Sequence, residues 1–281
     1  SHAEKPMSQT QMMADERHRY VLEVLQQHGS CKVASLAQAL GVSEMTIHRD
    51  LSSLARRNLL RKVHGGAVVH NYIELTYQDR VVQNHAAKVA VARRALPLVR
   101  PDTSVYLAPG STAYEFATLL ETEGLHVYTN SLPTATVLAR AAHPGVTVTL
   151  LGGQLVGFVE ALVGPATEAT LADLKLSHAF IAVTGVSLQG GLTVYTEEEA
   201  RVIRAVIRAA RKTVLLTDAS KFGLVAGPEV GTLQDVHVVV TDSVPEAYRQ
   251  FCAAHDVEVL LSQEPDLAGP PAAKEQGRNQ A

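Results

Sequence analysis

The sequence predicts an α/β protein in two parts. A small N-terminal helical domain carrying a short hairpin precedes a larger domain built on a mainly parallel sheet. Three observations carry this reading. Apolar residues recur at helical spacing through Val33, Leu36, Ala37 and Leu40, and again through Ile47, Leu51 and Leu54. From residue 104 onward, short continuous apolar runs alternate with helical stretches, the pattern of strands covered on both faces. The length of 281 residues suits about two domains.

Composition narrows the function. Hydrophobic residues make up 46% of the chain, enough for real cores and too many for a disordered protein. No apolar run approaches the roughly 18 residues of a membrane span. The N-terminal stretch has no apolar signal core, so export is not expected. Cys31 and Cys252 fall in separate predicted domains with no metal-ligand partner at suitable spacing. No disulfide framework, metal or cofactor is expected, and a reduced cytoplasm fits.

Residues 1–14 are polar and rich in Met and Gln, expected as a tag or loose arm. Asp15 and Glu16 open a first helix at the end where acidic side chains suit the helix dipole. Val21, Val24 and Leu25 form its inner face and Gly29 closes it. Residues 15–70 then form one small domain. Within it Ser43 is a good N-cap, with Val42 and Ile47 placed as a hydrophobic staple. Met45, His48, Arg49, Ser52 and Arg56 lie opposite the apolar stripe of that helix, and Asn58 can end it. Leu60–Val63 and Ala67–Val69 read as a hairpin around His64-Gly65-Gly66. The two helices joined at Gly41 form a helix-turn-helix, a device that lays its second helix in the DNA major groove. Between residues 45 and 66, Arg49, Arg56, Arg57, Arg61 and Lys62 face only Asp50, while the whole chain carries net charge −3. That asymmetry suits phosphates.

Residues 71–84 read as a linker. A helix follows from about His85 to Leu98, with Lys88, Arg93 and Arg94 expected on a solvated face. Residues 85–262 form the α/β domain. Its strands are expected at Ser104–Leu107, His126–Thr129, Thr147–Leu151, Ala179–Val183, Thr213–Leu216, His237–Thr241 and Val257–Leu261. Such sheets bind ligands beyond the carboxyl ends of their strands. There Gly110-Ser111-Thr112 offers backbone amides, hydroxyls and a helix N-terminus, chemistry for phosphate. Thr129-Asn130-Ser131 is a second polar turn, and Asp218 and Lys221 follow a buried-looking strand. Glu197, Glu198 and Glu199 open a helix. Residues 263–281 are polar and Pro-rich, expected as a disordered tail.

Val42-Ser43, Thr46-Ile47, Arg49-Asp50-Leu51 and His64-Gly65-Gly66-Ala67 resemble the N-terminal signature of the DeoR family of bacterial transcriptional regulators. Gly110-Ser111-Thr112, Thr129-Asn130-Ser131, Gly152-Gly153, Gly164, Phe180-Ile181, Gly185, Gly191-Leu192-Thr193 and Asp218-x-Ser220-Lys221-Phe222 resemble, in order, its sensor-domain pattern. The resemblance spans roughly residues 15 to 225. It implies a winged helix-turn-helix joined to a Rossmann-like sensor domain related to sugar-phosphate isomerases. It also implies an effector pocket for a phosphorylated sugar or related metabolite, with Gly110, Ser111 and Thr112 around the phosphate. Gly152 and Gly185 belong to the surrounding loops, and Asn130, Glu197, Asp218 and Lys221 would line the pocket. Two positions depart from the pattern. His48 stands where the family has Arg, and Ala108 where it commonly has Asp, which removes a hydroxyl acceptor.

The function expected is a repressor, acting as a dimer or tetramer, that leaves its operator when the effector binds. Arg49 is expected on a guanine and Met45 on a thymine methyl, with His48 accepting or donating in the groove. Arg56, Arg57, Arg61 and Lys62 are expected on phosphates, and Ser43, Thr46, Ser52 and His64 complete the contact set. The alternative is a sugar-phosphate isomerase with an added DNA-binding domain, using Glu197 or Asp218 as base and Lys221 against developing charge.

Overall fold

A computed structural model describes residues 13–28, 30–56, 59–69, 77–141, 143, 145–157 and 159–263. Gly29, Arg57, Asn58 and the expected tail beyond residue 263 lie outside the described residues.

The N-terminal domain comprises α1 (Ala14–His28), β1 (Ser30–Lys32), α2 (Val33–Leu40), α3 (Glu44–Arg56), β2 (Leu60–Val63) and β3 (Gly66–Val69). The strands form an antiparallel sheet in the order β1-β3-β2. Gly41 ends α2 at φ 62°, a left-handed conformation that costs glycine little, and its amide turns back to the Ala37 and Gln38 carbonyls. Ser43 caps α3 as its sequence context suggests, its hydroxyl accepting from the Thr46 amide at 3.2 Å. Val21, Leu25, Leu36, Ile47, Leu51, Leu54 and Leu60 close one core. Each such chain taken fully from water contributes about 1.5–3 kcal/mol. β1 is a difference from the sequence reading: at three residues it is too short to leave a period-2 signal.

Asp50 lies on the inner side of α3 and is 6% exposed. Arg17 of α1 donates to both its oxygens, from Nε at 2.8 Å and from Nη2 at 3.1 Å. His18 Nε2 lies 3.2 Å from Oδ1. An ion pair thus ties the first helix to the third.

The stretch expected to be a linker holds α4 (Tyr77–Val82). Tyr77 is buried and meets Tyr114 edge-on, so tertiary packing orders a segment whose sequence shows no period. α5 (His85–Ala95) follows, and a 3-10 turn at Leu96–Leu98 takes up Pro97. The expected solvated face is corrected here. Lys88 and Arg94 are both buried, whereas Arg93 is exposed. Lys88 sits three, four and seven residues before Val91, Ala92 and Ala95, and so shares their inward stripe. Arg94 Nε donates to the Leu261 carbonyl at 3.2 Å.

The larger domain continues with β4 (Ser104–Leu107), α6 (Ser111–Thr118), β5 (His126–Thr129), α7 (Leu132–Ala141) and β6 (Thr147–Leu150). A hairpin of β7 (Gln154–Val156) and β8 (Ala161–Val163) precedes α8 (Pro165–Ala172) and β9 (Leu176–Ile181). Then come β10 (Gly185–Ser187), β11 (Gly191–Thr193), α9 (Glu197–Ala209), β12 (Ala210–Leu216), β13 (Glu229–Gly231), β14 (Val238–Thr241), α10 (Glu246–Ala254) and β15 (Glu258–Leu261). Seven strands pair in parallel in the order β15-β14-β12-β9-β4-β5-β6. All seven expected strands are present, and strand order reverses between β4 and β9. Residues alternate between two apolar layers: Ala179 and Ile181 face one, Phe180 the other. The small sheet of β10, β11 and β13 and the β7–β8 hairpin were not anticipated, being three-residue strands.

Candidate functional site

On the N-terminal domain, α3 buries Ile47, Leu51 and Leu54 and turns Met45, His48, Arg49 and Arg56 to solvent. Met45 is 63% exposed and so is free to meet a groove. Ser43 and Thr46 share a hydroxyl contact at 2.9 Å at the start of this face. Ser52 accepts from Lys62 Nζ at 2.9 Å, which ties the hairpin to the helix. Arg61 and His64 are placed differently. The Arg61 guanidinium stands over the Tyr195 ring at 5.9 Å, and the His64 backbone bridges Val225. Arg57 is outside the described residues.

On the larger domain, a pocket opens where the strand order reverses, the position at which doubly wound sheets bind ligands. The chain leaving β4 turns at Gly110, φ 132°, and enters α6 with no side-chain cap. The first amides of α6 therefore face the pocket with the helix dipole behind them. Gly110 is needed for more than its φ. A methyl there would lie 3.1 Å from the Ala182 side chain, so the loops after β4 and β9 touch. Ser111 and Thr112 line the cavity, as do Asn130, Asp218 and Lys221.

Three predicted residues do not line it. Gly152 is exposed beyond β6, its carbonyl taking the Thr167 hydroxyl at 2.6 Å. Gly185 is buried in β10, where a side chain would collide with the Leu224 carbonyl at 2.4 Å. Glu197 is exposed and paired with Arg204 Nη1 at 2.7 Å, which holds its carboxyl below the usual range. Glu199 takes the pocket position instead. Thr196 and Glu199 form a capping box, with the Glu199 amide donating to the Thr196 hydroxyl at 3.2 Å and the carboxylate accepting from the Thr196 amide at 3.1 Å. The Thr-x-x-Glu spacing was a signal available in the sequence.

Sequence reasoning also missed the cations. Lys88 and Arg80, from the two elements before β4, line the pocket alongside Lys221. Lys88 Nζ donates to the Arg80 carbonyl. Burial, with Lys221 and Arg80 nearby, pushes the Lys88 ammonium down to about 7, against the pull of Asp218 and Glu115. Asp218 is 3% exposed. Burial raises its pKa, but Lys221, Ser220, whose amide donates to it at 2.9 Å, and Lys88 together hold it below the usual carboxylate range. Burial raises Glu199, opposed by its bonds to Thr196 and by Arg80. Lys88, Arg80 and Lys221 thus stand in the pocket wall with Asp218 and Glu199, both of which already serve as caps, a set of groups that suits an anionic ligand. Asn130 is a wall: its Oδ1 accepts from the Tyr106 hydroxyl and its Nδ2 donates to Leu162 O at 2.7 Å. Val159, Val194, Val202 and Ile203 form the apolar side. His28 of α1 reaches the rim, its Nδ1 3.0 Å from Asn84 Oδ1.

Residues 17–72 match the DeoR-like helix-turn-helix domain and residues 83–243 the DeoR C-terminal sensor domain. Over 87% of its length the chain is 30% identical to the L-fucose operon activator of Haemophilus influenzae, 99% of which is covered. It is 29% identical over 89% of its length to the glycerol-3-phosphate regulon repressor of Escherichia coli, all of which is covered. It is 27% identical over 92% of its length to the transcriptional repressor CsqR of the same species, 99% of which is covered.

Proposed function

We infer the function from one premise: the chain belongs to the DeoR family of DNA-binding transcriptional regulators. The relatives that it matches almost end to end are regulators and not enzymes. The placement of Glu197 argues the same way. The isomerase alternative needs Glu197 or Asp218 as base; Glu197 is exposed and paired with Arg204, and Asp218 caps the turn that follows it, its carboxyl held below the usual range. Among the described residues, no helix is long and apolar enough to cross a membrane.

The chain represses genes of sugar or related metabolism and is relieved by a phosphorylated small molecule, acting as a homo-oligomer in a reduced cytoplasm. The observation that carries the effector class is the convergence of the α6 N-terminus, Ser111, Thr112, Lys88 and Lys221 on one pocket at the strand-order reversal. The repressor sense is supported by the names of two of the three relatives. Two-fold operators match dimeric proteins, and an effector that prefers the subunit arrangement with the wrong half-site spacing releases the DNA through a coupling of about 1–3 kcal/mol.

The test is to select duplexes from a random pool with the full chain, then to measure anisotropy on the winner across a panel of phosphorylated metabolites. Relief by one phosphorylated compound is the expected result; indifference to the whole panel would remove the effector reading and leave DNA binding intact. Arg49→Ala is expected to lose about 1–3 kcal/mol of operator affinity and to relax one base position. Arg56→Ala should weaken all sequences alike and flatten the salt dependence by about one charge. An Arg49→Ala chain with full affinity and full preference would mean that α3 does not dock through Arg49.

A further inference from the structure

The two domains meet at the mouth of the pocket, through residues that also belong to the DNA-reading surface. Lys32, at the end of β1, extends Nζ to the Ala219 carbonyl at 2.6 Å and faces Asp218 and Asp242. Asp242 in turn accepts from the Ala219 amide at 2.8 Å, which fixes that carbonyl. Beyond Lys221 the chain bridges Val186 at Phe222, and the Gly223 amide donates to Val186 O at 2.7 Å. On this braced loop sits the tip of the β2–β3 hairpin. His64 pairs antiparallel with Val225, and a methyl on Gly65 would lie 2.2 Å from the Gly223 carbonyl. A methyl on Gly66 would lie 3.2 Å from the Leu224 side chain, a looser contact with the same loop. Arg61 covers Tyr195, another pocket residue.

No nucleic acid can enter between the hairpin tip and the loop, because not even a methyl group fits there. The backbone groups of His64 that bridge Val225 are engaged, and the Arg61 guanidinium lies 5.9 Å from the Tyr195 ring centroid, a contact with which a phosphate must compete. Yet Arg61, Lys62 and His64 are the hairpin residues whose charge and position suit DNA.

We propose that the β2–β3 hairpin is a latch: docked on the 219–225 loop of the pocket it is withheld from DNA, and operator binding requires its release. The proposal rests on the DNA-binding reading above and adds the regulation. The loop that carries the latch starts at Asp218 and Lys221, so a ligand held by those residues acts directly on the surface where the hairpin sits. Two states that exclude each other are what an effector needs in order to shift a population.

The test is a reversible lock in the full chain. Antiparallel partners lie about 4.5–5.5 Å apart at Cα, within disulfide range, so His64→Cys with Val225→Cys can be cross-linked. The DNA is the duplex selected by the unmodified chain. The oxidised double variant is expected to bind it at least about tenfold more weakly than the same protein reduced. That duplex, but not a scrambled one, should slow formation of the disulfide. Equal affinity in the two redox forms would overturn the latch while leaving DNA binding standing. A chain that selects no sequence at all would overturn the DNA-binding reading itself, and the latch with it. Lys32→Ala is an independent check that needs no cross-link. Loss of a cation from a DNA-binding domain ordinarily weakens binding; here release of the latch should raise operator affinity severalfold. Unchanged or lower affinity would overturn the proposal.

Discussion

Asp50→Ala is expected to destabilise the N-terminal domain by about 3–5 kcal/mol, the cost of removing one member of a buried ion pair. The Arg17 side chain is 11% exposed and that of Asp50 8%, so water can do little to replace the lost carboxylate. His18 would lose its partner in the same change. An arginine keeps its proton in any protein surroundings, so Arg17 cannot escape the loss by becoming neutral. Thermal or urea unfolding of the isolated change, followed by circular dichroism, reads the effect. A loss below about 1 kcal/mol would place the pair in the class of exposed salt bridges and remove its role in joining α1 to α3. The paired change Arg17→Met with Asp50→Leu separates charge from shape. It should recover much of the loss, because apolar residues of similar volume often replace a buried pair without penalty.

Asp50 also shows what the sequence could and could not disclose. Its neighbours Ile47, Leu51 and Leu54 were legible, since helical periodicity is a local signal and the core uses it as written. So were the seven parallel strands, whose apolar runs are continuous because helices cover both faces. The Arg17 contact spans 33 positions in the chain and leaves no period, so Asp50 read only as a lone acid among cations. The same limit explains α4, ordered by Tyr77 packing on Tyr114.

The pocket was half legible. Gly110, Ser111, Thr112, Asp218 and Lys221 stand at strand ends, where sheet topology alone brings them together. Gly185 has instead a packing reason for lacking a side chain, and the Thr196–Glu199 capping box turns Glu199 inward while Glu197 faces solvent. Lys88 was misread as surface, although its spacing to Val91, Ala92 and Ala95 marks the inward stripe of α5. A lysine on an apolar stripe is the departure from local rules that accompanies a binding site.

Lys88→Met is expected to have the largest effect on effector binding, with opposite signs on binding and on stability. The ammonium is buried beside Lys221 and Arg80 and faces Asp218 and Glu115, the latter 3.3 Å from His85. In the free protein burial, with Lys221 and Arg80 beside it, pushes it down to about 7. An unfolded lysine titrates near 10.4. Between these values the unfolded chain binds the extra proton, so stability rises with pH from about 7 toward 10 and its contribution is lost as pH falls through 7. Methionine keeps the stem and removes the charge. The variant should therefore be more stable than the parent near neutral pH and should lose this part of the pH slope. A phosphate reverses the preference, since a dianion among the cations favours the protonated form. Its own second ionisation lies near 6 and is complete above 7. Effector affinity of the parent should thus fall by up to about tenfold per unit as pH rises from 7 to 9, with a proton taken up on binding. Lys88→Met should bind about 2–5 kcal/mol more weakly near pH 7 and show no such fall. Calorimetry in two buffers of different ionisation enthalpy reads the proton directly. Undiminished affinity in Lys88→Met, or a parent that takes up no proton at pH 8, would move the phosphate away from Lys88.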